Sequence, residues 1–200
     1  KSKVQSESLL IDQKKEMPII ITVSNGFGNR KNLKTALHAF KIIKEKYPLY
    51  QYHIVGRQMA EGSDAYNYAV KHRLTEGVFF RGEIKFNEVL QEVSESSIYL
   101  HPSKEETFGN TVLEAMVVGT PVVGGEKSGN IPYLLDQGRA GILCDVKDAV
   151  SIANGVIQLI SNRKLSNEIR KDARKFAFQN YSKDRVMAKL IETYKETLKS

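Results

Sequence analysis

The sequence predicts an α/β fold built on a doubly wound parallel sheet of about six strands and finished by C-terminal helices. Three observations predict it. From Pro18 onward, short β-rich runs alternate with stretches of helical period. Several β runs are nearly all apolar, as strands buried on both faces are. After Cys144 the strand pattern stops and only helical patterns remain. Alternating elements joined by right-handed crossovers place helices on both faces of one open sheet.

Taken in order, strands are expected at 19–24, 50–55, 77–80, 97–101, 121–123 and 141–144. Between the first two, Leu33, Leu37, Phe40 and Ile43 recur at helical spacing before Pro48. Further helices are expected near 64–74, 85–95, 110–118 and 130–136, and then near 147–161, 164–180 and 183–198. Residues 1–17 are polar and lysine-rich apart from Leu9, Leu10 and Ile11, and read as a linker or lead-in segment. Residues 18–200 read as one domain.

Composition narrows the class. With 41% hydrophobic and 26% charged residues, the 200-residue chain has the balance of a globular protein able to bury a full core. Cys144 is the one cysteine, so no internal disulfide is possible and no oxidising compartment is required. The longest apolar runs, such as 17–23, fall far short of the ~20 residues of a membrane span. No signal peptide is readable. The net charge of +7 suits a phosphorylated ligand, an acidic membrane surface or a polyanion. Zinc-ligand spacing, an RNA-binding aromatic motif and long basic blocks are all missing, so nucleic acid is not an expected partner.

Doubly wound sheets bind ligands outside the carboxyl ends of their strands. Three of the loops there carry chemistry. The first, 25–32, pairs Gly26 and Gly28 with Arg30 and Lys31 just before a helix, the makings of a phosphate cradle. Lys31 stands where a dinucleotide fingerprint needs its third glycine, and no acidic residue follows Val55-Gly56-Arg57, so an NAD site is not indicated. The fourth loop, 102–114, sets Glu106 in the loop and Glu114 eight residues on, across a turn at Phe108-Gly109. Two carboxylates suit sugar hydroxyls, and free amides at a helix start suit an anion. Thr111-x-x-Glu114 also fits a capping box, so Glu114 is read either as a ligand-binding acid or as a helix cap. Glu105 reads as solvated. The fifth loop, 124–132, is glycine-rich and is read either as another anion-binding turn or as a plain surface loop. His38 and His53 read as structural. His101, at a strand end on the ligand edge, is the one histidine singled out for function, and Cys144 reads as a buried thiol. No Asp-x-Asp pair offers a clamp for a metal–diphosphate.

The stretch from His101 to Val123 resembles the signature of the glycogen-synthase-like retaining glycosyltransferases (family GT4), P-S-x-x-E-x-F-G-x-x-x-L-E-A-M-x-x-G-x-P-V-V. The resemblance extends over about residues 19–198 and includes Tyr52 to Gly56, Val78 to Gly82 and Gly138 to Leu143 in order. It implies the C-terminal, Rossmann-like half of a GT-B fold, the half that binds the nucleotide-sugar. The N-terminal half, which would hold a glycan or lipid-linked acceptor, is expected to be missing from this chain.

The resemblance further implies residue roles. Glu106 would be the catalytic carboxylate beside the transferred sugar, and Lys31 the cation at the diphosphate. Phe108, Gly109 and Asn110 would present the helix start to sugar and phosphate. Glu114 would hold the ribose hydroxyls, and the backbone at Gly82, Glu83 and Ile84 would read the base. Asn25 stands where the family often has arginine, with Arg30 a possible substitute; Asn130 and Tyr133 replace the family's Gly and Glu. The donor is a substrate, and neither a cofactor nor a metal is implied. The alternative is a noncatalytic nucleotide-binding or regulatory module of the same fold. The expected location is cytoplasmic, with peripheral contact at the inner face of a membrane left open for the full protein.

Overall fold

The computed structural model of the chain describes residues 17–197. The expected segment 1–17 lies outside the described residues except for Met17. Six parallel strands form one sheet: β1 (Ile19–Val23), β2 (Gln51–Val55), β3 (Val78–Gly82), β4 (Ile98–His101), β5 (Val122–Gly125) and β6 (Ile142–Cys144). Their order is β3-β2-β1-β4-β5-β6, so the winding reverses between β1 and β4. The helices are α1 (Leu33–Lys46), α2 (Asp64–Lys71), α3 (Phe86–Glu95), α4 (Asn110–Val118), α5 (Ile131–Leu134), α6 (Ala149–Ser161), α7 (Arg163–Tyr181) and α8 (Lys183–Thr197).

The expected α/β class and strand count are those observed, and the differences have physical causes. The helix expected over 64–74 stops at Lys71, because Arg73 takes a left-handed backbone (φ 55°) that a helix cannot continue. The helix expected over 130–136 is a single turn, α5, followed by a 3₁₀ turn at Asp136–Gly138. Positive φ at Asp136 and Gln137 breaks it. Strand β5 takes in Gly124 and Gly125, which were expected in the loop. A Cβ on Gly124 would approach Ile131 to 2.7 Å, so glycine here permits close packing of α5 on the sheet.

Each face of the sheet carries its own core. On one side α1, α2 and α6 bury Leu33, Leu37, Phe40 and Val156 against Ile20, Ile54 and Leu100. On the other, α3, α4 and α7 bury Val93, Met116 and Ala173 against Ile21, Val55 and Tyr99. Fully burying such large side chains contributes roughly 1.5–3 kcal/mol each. Within the first core Thr22 donates to the Leu100 carbonyl (2.7 Å) and contacts the Tyr52 hydroxyl at 2.8 Å, so the polar atoms inside it are paired.

Asn32 fastens three strand-end loops together. It is buried and left-handed (φ 57°), a conformation that Asn tolerates better than most residues. Its amide donates to the carbonyls of Pro102 (3.1 Å) and Val146 (2.6 Å), and its oxygen accepts from Thr35 (2.7 Å). The loops after β1, β4 and β6 therefore share one side chain. Asn32→Gly keeps the backbone conformation and loses these bonds, and is expected to cost about 1–3 kcal/mol in denaturant unfolding. Asn32→Asp, which sets a carboxylate against two carbonyl oxygens, is expected to cost more at neutral pH. Equal stability of parent and both variants would show that Asn32 does not hold the loops.

Candidate functional site

The loops after β1 and β4 part at the reversal of strand order, because α1 and α4 leave toward opposite faces. A cleft of about 320 Å³ opens between them. Val23 to Asn25 and Lys31 line one wall, and Glu106 to Thr111 the other. A larger depression of about 620 Å³ lies near the amino ends of the strands, lined by Met17, Pro48, Leu49 and Tyr50; it is mainly apolar and holds no convergent charges beyond Lys46.

Glu106 and Lys31 meet across the cleft, with Lys31 Nζ 3.3 Å from Glu106 Oε2. Both are largely sheltered, at 17% and 20% side-chain exposure, so solvent screens their attraction less than that of a surface pair. The other Glu106 oxygen accepts from the Thr107 amide at 3.2 Å. Beneath lies His101, stacked on Tyr99, with Nε2 3.7 Å from Glu106 Oε2. Burial pushes the His101 pKa down to about 4; Glu106 opposes the drop and Lys31 adds to it. The ring is therefore neutral at pH 7, and its approach to Glu106 is not an ion pair. Its Nε2 is buried without a hydrogen-bond partner among the described residues.

The far wall ends in the start of α4. Gly109 is its N-cap, left-handed (φ 92°), where a Cβ would come within 2.9 Å of Ile131. No side chain caps the helix. The amides of Gly109, Asn110 and Thr111 have no internal acceptor among the described residues, which leaves an uncapped helix start at the cleft. The capping-box reading of Glu114 does not hold. Thr111 lies inside the helix, not at its cap. Glu114 is half-buried with no hydrogen bond to its carboxylate among the described residues, and burial raises its pKa.

The other expected site residues divide. Phe108 lines the cleft and meets Tyr181 edge-on at 5.9 Å. Arg30 is exposed and does not line the cleft; its carbonyl accepts from the Lys104 amide. Asn25 does not supply the missing cation. Its side chain accepts from the Arg57 amide (3.2 Å) and ties the first loop to the second. At the end of β3, both backbone groups of Gly82 are taken, by Met59 and Gly56, whereas those of Glu83 and Ile84 have no backbone partner among the described residues. Glu83 pairs with Arg57 at 3.5 Å. Glu105 is exposed, and Tyr133 is 66% exposed. Among the described residues no cluster of three or more His, Cys, Asp or Glu side chains could hold a metal ion, and no helix is long and apolar enough to cross a membrane.

Sequence reasoning did not single out Asn32, Thr107 or Ser128. Ser128 donates to the Ser103 carbonyl at 2.6 Å and pins the fifth loop to the fourth. These contacts join residues remote in sequence, and only the placement of Asn32 just before a helix hinted at its role.

Residues 6–176 match the family described as glycosyl transferases group 1. The chain belongs to that family. It is 25% identical over 186 residues to the N-acetyl-alpha-D-glucosaminyl L-malate synthase of Bacillus anthracis, covering 90% of this chain and 46% of that protein. It thus spans about half the length of the curated relatives it matches. Among solved structures it is similar to the C-terminal domain of a group 1 glycosyl transferase (LpcC) of Francisella tularensis. That likeness has a TM-score of 0.72 and 24% identity over 86% of this chain and 91% of that one. It is also similar to Anabaena Alr3699/HepE, solved in complex with UDP and glucose. There the TM-score is 0.77, with 19% identity over 98% of this chain and 53% of that one. At these identities the two structures bear on the fold: the six-stranded Rossmann-like sheet matches one found in GT-B glycosyltransferase structures.

The buried neutral His101 has a stability consequence. Its pKa is about 4 in the folded chain and near 6.5 unfolded. The unfolded state therefore binds more protons between these values, and stability falls as pH drops through that window. Across it, His101 is expected to account for roughly 3 kcal/mol. His101→Gln is expected to flatten the pH dependence of unfolding between pH 6.5 and 4. An unchanged slope would place the histidine in a solvated or paired state.

Proposed function

We propose that this chain is the nucleotide-sugar-binding half of a retaining glycosyltransferase, with the acceptor held mainly by the part of the protein that its relatives have in addition. The observation that carries the proposal is the uncapped start of α4 facing Lys31, with Glu106 between them. A helix start and a lysine converge on one anion, and a carboxylate stands where a sugar attached to that anion would lie. Solved UDP, glucose and UDP-glucose complexes of Anabaena Alr3699/HepE support the same class of ligand.

In this reading Lys31 and the amides of Phe108, Gly109 and Asn110 neutralise the diphosphate as the sugar leaves. Glu106 holds sugar hydroxyls and steadies the positive charge that develops on the departing sugar. The charges of a transition state that separates cation from anion are thus matched at both ends. Glu114 accepts from the ribose, and the unpaired backbone of Glu83 and Ile84 reads the base. Charge neutralisation is assigned to Lys31 and the amides rather than to a metal ion. A glycan or lipid-linked acceptor and a cytoplasmic, membrane-adjacent setting remain part of the proposal.

In this reading Lys31, now 3.3 Å from Glu106, turns toward the diphosphate when the donor binds. Calorimetry of the chain with UDP, GDP and ADP is expected to show binding without sugar transfer. Lys31→Ala is expected to weaken the preferred diphosphate by about 1.5–3 kcal/mol and to flatten its salt dependence, leaving the nucleoside unaffected. Glu106→Gln is expected to tighten the diphosphate, because it frees Lys31 and removes a negative charge. Unchanged affinity in Lys31→Ala would defeat the phosphate role of the first loop.

A second expectation separates the glutamates. Glu114→Gln is expected to weaken nucleoside and diphosphate alike, since ribose is common to both. If both affinities stay at the parent value, Glu114 is not the ribose ligand.

A further inference from the structure

We infer that Asn130 is a positioning residue that sets two peptide planes in the fourth loop, and through them aims the Gly109 amide at the anion and the Thr107 amide at Glu106. The inference rests on the diphosphate reading of the cleft. Its basis is geometric. A trans peptide is planar, with its carbonyl and N–H on opposite sides, so holding the carbonyl fixes where the N–H points. No peptide bond described is cis.

Asn130 holds two such carbonyls. Its backbone amide donates to the Glu106 carbonyl at 3.1 Å, and its side-chain amide to the Phe108 carbonyl at 3.1 Å. The first carbonyl shares a peptide with the Thr107 N–H, which donates to Glu106 Oε1 at 3.2 Å. The second shares a peptide with the Gly109 N–H, which has no internal acceptor among the described residues and stands at the cleft. One residue on the fifth loop thus orients the carboxylate's donor and an open donor at the helix start.

The rest of that loop keeps Asn130 in place. Ser128 is buried and bonded to the Ser103 carbonyl, at the other end of the fourth loop. Gly129 has φ 59° and lies so close to the Glu106 carbonyl that a Cβ there would collide with it. Asn130 itself has an ordinary right-handed backbone (φ −77°, ψ −7°), open to any residue. Nothing in the backbone therefore demands an amide side chain. Its bond to Phe108 is an addition that the backbone conformation does not require.

The test uses Asn130→Gly and Asn130→Ala, which remove the side-chain bond and add no charge. Two ligands are titrated: inorganic pyrophosphate and whichever of UDP, GDP and ADP the parent binds. The matching nucleoside is the control. Amide resonances and melting temperature are followed together. The expected result is a loss of about five- to tenfold in diphosphate affinity. The pyrophosphate-induced shift of the Gly109 amide should shrink, nucleoside affinity should hold, and melting should move by less than about 2 °C. Parent-like affinity with a parent-like Gly109 response overturns the inference and leaves the diphosphate reading standing. A fall in melting temperature with nucleoside and diphosphate weakened together also overturns it, since Asn130 would then serve stability alone. If the parent binds neither pyrophosphate nor any of the three diphosphates, the functional reading itself fails and the inference falls with it.

Discussion

Between β1 and β4 the winding of the sheet reverses, and every feature of the site depends on that reversal. Right-handed crossovers send α1 to one face and α4 to the other, so the two loops at this point cannot pack on each other as neighbouring loops do. The gap they leave exposes the amino end of α4 on one side and Lys31 on the other. A side chain from either loop can reach across, and Lys31 and Glu106 do so at 3.3 Å. With an aliphatic residue in place of Lys31, the same cleft would keep only the negative charge of Glu106. Topology supplies the cleft, and the lysine and glutamate give it electrostatic polarity.

Holding charged groups ready over an uncapped helix start has a cost, and the surrounding loops carry it. Asn32 gathers the first, fourth and sixth strand-end loops, and Ser128, Gly129 and Asn130 grip the fourth loop from its other side. Most are side chain–backbone bonds, joined by one backbone bond from the Asn130 amide to the Glu106 carbonyl, and they link segments far apart in sequence. They fix the loop carbonyls, while the amides of Gly109, Asn110 and Thr111, as the first donors of a helix, have no internal acceptor among the described residues. Buried neutral His101 closes the floor without adding a competing charge at neutral pH.

Much of this was legible in the sequence. Apolar and β-rich runs mark the six strands to within one or two residues at most boundaries, and strands buried on both faces, such as β4 and β5, leave an uninterrupted pattern. The Asn110–Val118 helix was placed at its observed bounds. Lys31, Glu106, Phe108 and Gly109 do converge on one cleft, as their positions at strand ends required. Other features were not legible. Gly124 and Gly125 looked like loop residues, yet they serve close packing against α5, which depends on where Ile131 falls in space. The capping box at Thr111 was a sequence match without the geometry. Arg30 is adjacent to Lys31 in sequence but does not line the cleft, since neighbouring residues in a turn point in different directions. Asn32 and Asn130 act across long sequence separations that no local pattern records.

The central claim is that a diphosphate binds at the switch point and takes Lys31 from Glu106. A crystal structure of the chain with its preferred nucleoside diphosphate tests this most directly. The account predicts phosphate oxygens within hydrogen-bond distance of Lys31 Nζ and of the amides at Gly109 to Thr111, with the Lys31–Glu106 separation opened beyond its present 3.3 Å. A diphosphate bound elsewhere on the surface, or one bound with that ion pair intact, would contradict it.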